Sequence, residues 1–475
     1  MPVGGGVVSA HLTKVLEAYE RFLEGLEQVA RDAPPGDARV QVAMLLLRVC
    51  GQGKVTHLLR TLPPATTEAF AKAVDEATER TVESLCRLDW LTPDQKAQLR
   101  LPLRGGGFGL RSQEALRGVA YVGSWLGNLE GVRERCPPGT AAQERFTAGD
   151  RSWARALQEA QERLGAAGIY LTEQGEVVDA PPQAPWDWAD DTVEVAQVQR
   201  ALTKALDERH REELLARLPP EERAWVRSCG GRGAGAWLNA APASEVETFT
   251  DGDFCAAART RSGQDVSPPG LRCSNTYSTG PRTGESCAEA LDPKGVHAST
   301  CLIGGRVGQK HNSLVMLLAR LLGAAGYLVD VDGPRTYEPR WDRPKRDRHG
   351  VQKRDAEGNL MWERAKLDHV LHGGPEEPTT YGDVVVSHAR APSHVREGAA
   401  ADGATARGGN VENGCATRRS RCPGPSWSPS RLRPGGAGTS LPCGSSSGRP
   451  AGPRSATLGW RLCRGRARAW SSPAG

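Results

Sequence analysis

The sequence predicts a multidomain protein, mostly α-helical in its N-terminal half and α/β between residues 303 and 397. Two observations lead to this fold class. Apolar residues recur at helical spacing through the first 170 residues, and an apolar helix followed by short β-like runs comes after residue 302. From residue 398 the chain is Gly, Ala, Ser, Pro and Arg without periodicity, which predicts a disordered tail over 398–475.

Residues 1–170 predict a helical bundle. The apolar run from Val40 to Val49 predicts a helix that ends near Gly51, and a long helix is expected from Thr67 to Leu88. Residues 171–250 predict a helical linker. The apolar faces of the bundle are expected to include Leu12, Tyr19, Leu26, Leu46, Leu58, Phe70, Leu85 and Trp125.

Local signals fix two helix starts in this bundle. Thr92 offers an N-cap, with Pro93 at the first helical position and Gln95 as its capping-box partner. Ser112 can cap the helix that follows the Gly-Gly-Gly-Phe-Gly run at 105–109. No strand precedes this run and no Lys-Ser/Thr follows it, so it predicts a tight loop rather than a phosphate-binding loop.

Residues 251–302 predict a zinc knuckle. Cys273, Cys287, His297 and Cys301 form a C-x13-C-x9-H-x3-C pattern, and zinc requires four such ligands at tetrahedral corners. Asp-Pro-Lys-Gly at 292–295 supplies a chain reversal that returns the second half of the pattern to the first. The long spacing after the first cysteine leaves Cys255 as an alternative ligand, and unrelated thiols remain the alternative to a metal site.

The α/β region is expected to begin with a helix from Asn312 to Ala325 that Gly326 stops. Strands are expected at 327–331, 366–371 and 381–386, and the turn that starts at Asp355 suggests a hairpin in the polar loop before the second strand.

Two carboxylates lie in these strand-like segments. Asp368 and Asp383 on adjacent strands can share Mg²⁺ or Mn²⁺, which polarises a phosphodiester and activates water. In the usual restriction-type pattern, (P)D-x(n)-(D/E)-x-K, a lysine stands two residues after the second acid. Here that position is Val385, and Lys366 or Lys310 can substitute for the lysine in space. The alternative is an exposed aspartate at each strand edge.

A basic loop precedes the second strand. Basic residues interleaved with aromatic ones can follow a phosphate backbone, although six acidic residues in the same loop make a solvated loop an equal alternative. His311 and Asn312 open the predicted helix, where they can act as simple cap residues. The candidate nucleic-acid-binding residues are His311, Asn312, Arg340, Arg343, Lys345 and Arg346.

The order of these motifs resembles the C-terminal part of non-LTR retrotransposon reverse transcriptase polyproteins. In the C-terminal half the resemblance rests on His297-Ala-Ser-Thr-Cys301, Lys310-His311-Asn312, Tyr337-Glu338-Pro339, Lys366-Leu-Asp368, and Tyr381-Gly-Asp383-Val-Val-Val-Ser-His388. In the N-terminal half, the motifs at 58–64, 101–112 and 120–125 resemble the helical region that follows the polymerase palm, so the resemblance covers about residues 1–400. It implies a thumb-like helical region after a missing polymerase palm, a CCHC zinc knuckle, and a restriction-like endonuclease of PD-(D/E)xK type. The four knuckle residues would bind zinc, Asp368 and Asp383 the catalytic metal, and Glu338 matches a further motif position.

Two departures limit what the resemblance implies. No Tyr/Phe-x-Asp-Asp motif occurs, so no polymerase activity is expected, and the missing lysine leaves the nuclease activity open. The first hypothesis is a fragment whose ancestral reaction is metal-dependent DNA nicking. The second is a non-catalytic, zinc-dependent nucleic-acid-binding remnant, and the third is a decayed reading frame. The expected partners are DNA or RNA.

The distribution of charge and the N-terminal sequence bear on the partners and the location of the protein. The net charge is +5, but eleven Arg and no Lys or acidic residue follow Asn413, so residues 1–412 carry about −6 and whole-chain charge says little about partners. The abrupt loss of acidic residues after Glu412 also resembles translation in a wrong reading frame. Without a signal-peptide pattern or a run of ~18 apolar residues, an intracellular, nuclear location without membrane contact is expected.

Overall fold

The structure is a computed structural model of the 475-residue chain. It describes residues 5–32, 38–135, 152–172, 176–183, 198–244, 247–331, 342–346, 351–363, 367–372, 380–404 and 463–464. The chain divides into two compact units: unit 1 comprises Met1–Cys301 and His388–Gly403, and unit 2 comprises Leu302–Ser387 and Ala404–Gly475. Most of the predicted tail lies outside the described residues.

The described residues are mostly helical, as predicted, with a few small sheets. The helices are α1 (Gly5–Asp32), α2 (Arg39–Leu46), α3 (Gln52–Thr61), α4 (Glu68–Leu85), α5 (Pro93–Arg100), α6 (Gln113–Arg135), α7 (Ser152–Ala166), α8 (Val198–Arg217), α9 (Pro220–Cys229), α10 (Asp251–Arg261), α11 (Val296–Thr300), α12 (Arg306–Ala324) and α13 (Pro392–Ala400). The strands are β1 (Tyr170–Leu171), β2 (Val177–Val178), β3 (Leu328–Val331), β4 (Arg343–Pro344), β5 (Trp362–Glu363), β6 (His369–His372), β7 (Thr380–Gly382) and β8 (Cys463–Arg464).

Two apolar clusters form most of the core of unit 1. Helices α1 to α4 and α10 pack around the first, which includes the buried side chains Tyr19, Met44 and Phe254. Helices α6, α7 and α8 contribute most of the second. Of the predicted core residues, Leu12, Tyr19, Leu26, Leu58, Phe70 and Leu85 are buried and Trp125 is partly buried.

The prediction for Leu46 and for the helix end at Gly51 is wrong. Leu46 is 38% exposed, because a π-helical turn over Leu47–Gly51 shifts the helical register and buries Leu47 instead. Gly51 has a helical φ of −62° and leads directly into α3. A Cβ at Gly51 would lie only 3.2 Å from Leu47 Cδ1 and 3.3 Å from Phe22 Cε1, so the glycine permits a close approach to α1 and does not end a helix.

The predicted helix starts are confirmed. The Thr92 hydroxyl accepts from the Gln95 backbone N–H, and the Gln95 side-chain oxygen accepts from the Thr92 backbone N–H. The Ser112 hydroxyl accepts from the backbone N–H of Ala115 in the first turn of α6. Between α5 and α6 the Gly-rich run forms a tight loop, as predicted, with a positive φ of 98° at Gly106.

A buried carboxylate completes the cap of α6. Asp75 on α4 accepts from the Ser112 hydroxyl and from the backbone N–H groups of Gln113, at 2.7 Å, and Glu114, at 3.2 Å. Burial raises the pKa of Asp75, and these donors oppose that shift. The carboxylate therefore fixes the contact between α4 and α6 through groups that cannot reach water.

Asp75→Ala should lower the free energy of unfolding by about 3 kcal/mol, because it leaves several buried donors without their acceptor. Urea titration followed by circular dichroism measures the change. Glu76→Ala is the matched control, since the neighbouring Glu76 is exposed, and we expect it to alter stability by less than ~0.5 kcal/mol. Equal effects of the two substitutions would contradict the assigned role.

Unit 2 combines α12 with an antiparallel sheet of order β3-β6-β7-β8. The helix starts at Arg306, six residues before the predicted start, so His311 and Asn312 lie inside it and are not cap residues. Gly326 follows the helix end with a φ of +90°, as expected of a helix stop. Asp355 organises the predicted hairpin turn by accepting from the backbone N–H groups of Glu357 and Asn359.

The chain returns to unit 1 after unit 2. Helix α13 runs to Ala400, beyond the domain end predicted at residue 397, because its flanks are held against α9. Arg390 donates to Glu222 at 2.6 Å and lies over the Trp225 ring, and the His388 ring stacks on the same indole. These contacts join residues far apart in sequence, so no local pattern predicted them.

Candidate metal centre and acidic sheet edge

A β-hairpin brings the first two predicted zinc ligands together. The backbone N–H of Cys273 donates to the Glu289 carbonyl at 2.8 Å, and the N–H of Cys287 donates to the Asn275 carbonyl at 2.7 Å. Cys273 and Cys287 therefore lie on opposing arms of the hairpin. The spacing of 13 residues between them is the length of chain that the hairpin needs to turn back.

A short capped helix supplies the other two ligands. The Asp292 carboxylate accepts from the backbone N–H groups of Val296, at 2.9 Å, and His297, at 2.6 Å. Burial alone would raise the pKa of Asp292, but these hydrogen bonds hold it below its ordinary value. The N–H of Cys301 donates to the His297 carbonyl at 2.8 Å, so one helical turn places both ligands on the same side.

The four ligand atoms converge. They all lie within 4.8 Å of one another; Cys273 Sγ is 3.8 Å from Cys301 Sγ, and Cys287 Sγ is 3.6 Å from His297 Nε2. Sulfur atoms at the corners of a zinc tetrahedron are ~3.8 Å apart, given Zn–S bonds of about 2.3 Å. The predicted cluster can therefore hold a metal ion such as zinc.

Cys255, the alternative ligand, is not part of this cluster. Cys255 lies in the apolar core of unit 1, where its thiol contacts the Leu85 carbonyl at 3.6 Å. The convergence of three sulfur atoms and an imidazole nitrogen within 4.8 Å favours a metal site over unrelated thiols. Across the described parts of the chain, no other group of three or more Cys, His, Asp or Glu residues has its ligand atoms this close.

The two predicted catalytic carboxylates lie at the same end of the sheet in unit 2. Strands β6 and β7 pair antiparallel with His369 opposite Gly382, so Asp368 immediately precedes the ladder and Asp383 immediately follows it. Both residues were expected within strands, but the strands are shorter. The Asp368 carboxylate accepts from the Val384 backbone N–H at 2.6 Å, which ties the two chain segments together.

Helix α12 adds His311 to this edge. Its Nε2 lies 3.0 Å from the Val384 carbonyl oxygen and 3.3 Å from Asp368 Oδ2, and its Nδ1 lies 3.2 Å from Asn312 Oδ1. An imidazole with acceptors at both nitrogens satisfies them best when both nitrogens carry a proton. Burial alone would lower the pKa of His311, but these acceptors outweigh it and raise the pKa.

The position of His311 could not be read from the sequence. The cap interpretation is wrong because His311 lies inside the helix, and the nucleic-acid contact stays a prediction. The imidazole reaches a carboxylate 57 residues away, which the sequence did not predict. The one signal is the apolar pattern of α12, which predicts that this helix packs on the sheet. In the structure Val315, buried on the same helix as His311, has its carbonyl oxygen 2.7 Å from His369 Nε2 of β6. The packing of α12 on β6 thus brings His311 to Asp368.

The structure describes only some of the remaining predicted site residues. Lys310 is exposed on α12, while Lys366, Glu338 and Arg340 lie outside the described residues, as does the side chain of Arg343. Lys345 and Arg346 are exposed on the hairpin, where the Lys345 N–H donates to the Met361 carbonyl. Trp362 on the same hairpin is 57% exposed, so basic and aromatic groups share one exposed element.

No known protein-family model matches the chain, and no match is found among curated proteins. The resemblance to retrotransposon polyproteins therefore rests on the collinear motifs alone. None of the described helices combines the length and the apolar character needed to cross a bilayer.

Proposed function

We propose that the chain derives from the post-polymerase part of a retrotransposon reverse transcriptase, and that unit 2 is a restriction-like domain that nicks DNA with the help of a divalent metal. The observation that carries the proposal is the shared sheet edge: Asp368 and Asp383 flank the last residue pair of one ladder, and His311 reaches Asp368. The motif order supports the retrotransposon origin.

The residues of this edge suit Mg²⁺ or Mn²⁺. Both ions prefer oxygen ligands, and Mg²⁺ commonly takes only one or two protein carboxylates while keeping several waters. Asp368 and Asp383 would hold the ion, which supplies polarisation of the scissile phosphate and activation of water when bound. Val385 stands where the usual lysine would be, and His311 supplies a basic side chain at the same edge.

The exposed hairpin of unit 2 suits the DNA backbone. Lys345 and Arg346 would contact phosphates, and Trp362 offers a ring for stacking. Such contacts give binding without sequence preference, and the ionic contribution falls as salt is raised. The proposal includes no copying of RNA.

The test is conversion of supercoiled plasmid to open circles by the full-length protein at high enzyme concentration. We expect slow nicking with Mn²⁺, weaker nicking with Mg²⁺, and none with EDTA. Nicking that persists unchanged in EDTA, or no metal-dependent nicking by folded protein that carries zinc, would refute the assignment.

A second function is favoured by a separate observation. The Cys₃His geometry, together with the exposed basic hairpin, also fits a zinc-dependent nucleic-acid-binding protein without catalysis. Retained DNA or RNA binding with no nicking would select this function. Absence of both activities would leave the decayed reading frame.

A further inference from the structure

Two arginines of unit 1 converge on one carboxylate oxygen. Arg211 Nη2 on α8 donates to Asp402 Oδ1 at 2.6 Å, and Arg227 Nη1 on α9 donates to the same oxygen at 2.7 Å. Asp402 is 191 residues from the first arginine and 175 from the second in sequence. The helices supply two positive charges, whereas the aspartate supplies only one negative charge.

Burial restricts both arginine side chains, and Arg211 also has a hydrogen bond to a group other than Asp402. Arg211 Nε donates to the carbonyl of Gly105, in the tight loop before α6, at 3.2 Å. Arg227 Nε is buried, and no hydrogen-bond acceptor meets it within the part of the chain that the structure describes. The arginine side chains are only 19% and 21% exposed, while the Asp402 side chain is 54% exposed. The two cations are thus mostly buried, whereas solvent reaches the anion between them.

This arrangement fits a phosphate better than it fits a carboxylate. Guanidinium groups donate in a planar fork that matches the oxygens of a phosphate, and a phosphate offers more acceptor oxygens than Asp402 does. Burial alone would raise the pKa of Asp402, but the hydrogen bonds from Arg211 and Arg227 hold it below its ordinary value, so the aspartate stays anionic near neutral pH.

We propose that Arg211 and Arg227 form a phosphate-binding site on unit 1 that Asp402 fills as an internal competitor. A phosphate from outside must displace the aspartate. The apparent affinity for phosphate is therefore the intrinsic affinity multiplied by the fraction of time that Asp402 leaves the site open. The phosphate is that of a nucleic-acid backbone or a free phosphate ion, which share this chemistry. The proposal is independent of DNA nicking by unit 2.

The test compares Asp402→Asn with the matched control Asp94→Asn. Asp94 also pairs with an arginine on α8, Arg217, and among the described residues it pairs with that arginine alone. Melting temperatures are measured on the full-length protein against sodium phosphate, with sodium chloride at equal ionic strength and without divalent ions. Because phosphate stabilises many proteins by exclusion, only the excess over the control counts.

We expect Asp402→Asn to bind phosphate about tenfold tighter than the wild type does, and therefore to gain more thermal stability from phosphate than Asp94→Asn gains. Adding Arg227→Gln to Asp402→Asn should abolish the excess. An excess that is absent, or that survives Arg227→Gln, would overturn the proposal and leave Asp402 as a structural ion pair that anchors α13.

An oligonucleotide distinguishes the source of the phosphate and keeps the test decisive if Asp402→Asn fails to fold. Binding of a fluorescent single-stranded 12-mer is measured by anisotropy at low salt in EDTA. If the nucleic-acid backbone is the ligand, Arg227→Gln introduced into the wild-type protein should weaken oligonucleotide binding about threefold, whereas Arg217→Gln should leave it unchanged. If phosphate binds but the two arginine variants bind the oligonucleotide equally well, the ligand of the site is free phosphate. If both variants lose equal oligonucleotide affinity and phosphate gives no excess stabilisation, the proposed phosphate site is wrong.

Discussion

Cys301→Ser should release zinc from the full-length protein and unfold the hairpin around it. Cys301 Sγ lies 3.8 Å from Cys273 Sγ and 4.0 Å from Cys287 Sγ, so it faces two other ligands at once. Binding of a structural zinc ion contributes roughly 10–16 kcal/mol of apparent free energy in small knuckles at neutral pH. Three remaining ligands seldom hold such an ion, and His297→Ala should have the same effect.

Metal analysis of purified protein measures this effect, with about one zinc per chain expected in the wild type. Cys255→Ser is the matched control, because Cys255 is a buried thiol outside the cluster. It should keep its zinc. Zinc retained in Cys301→Ser, or lost in Cys255→Ser from a protein that remains folded, would show that the ligand set is wrong.

Asp368→Ala should slow nicking strongly and also loosen the sheet edge. The substitution removes a proposed metal ligand, and it leaves the Val384 N–H and His311 without their shared carboxylate. Loss of metal-assisted charge stabilisation worth ~3–4 kcal/mol corresponds to a rate reduction of about 10²- to 10³-fold. The rate of open-circle formation with Mn²⁺ measures the chemistry, and the melting temperature measures the structural contribution.

Asp368→Asn separates the two effects, because the amide oxygen still accepts from Val384 but is a weak metal ligand. It should recover stability without recovering activity. Glu357→Gln removes an exposed acidic group from the tip of the hairpin in the same unit and should nick at the wild-type rate. Equal activity of Asp368→Asn and Glu357→Gln would argue against metal binding at the edge.

Local signals predicted much of the helical fold. The capping box at Thr92 and the stop at Gly326 depend on residues within one turn, so the sequence contains all the information they need. The π-helical turn at Leu47–Gly51 was missed because it is selected by packing against α1, which no local pattern shows. The same holds for Leu46, whose exposure follows from that turn.

The candidate sites also differ in whether their residues lie close together in the sequence. Four zinc ligands within 29 residues were predicted by spacing, because a hairpin and one helical turn are enough to gather them. The contact of His311 with Asp368, and that of Asp402 with Arg211 and Arg227, join residues far apart in sequence. Neither follows from periodicity or composition, since each depends on how separate elements pack.

The proposed nuclease function depends most directly on Asp383, which follows the last residue pair of the β6–β7 ladder. The decisive measurement is the rate of plasmid nicking with Mn²⁺ by the wild type and by Asp383→Ala, both at saturating protein so that DNA occupancy is equal. We predict that Asp383→Ala binds DNA with nearly wild-type affinity and nicks at least ~10²-fold more slowly. Equal nicking rates for the two proteins would contradict the proposed function.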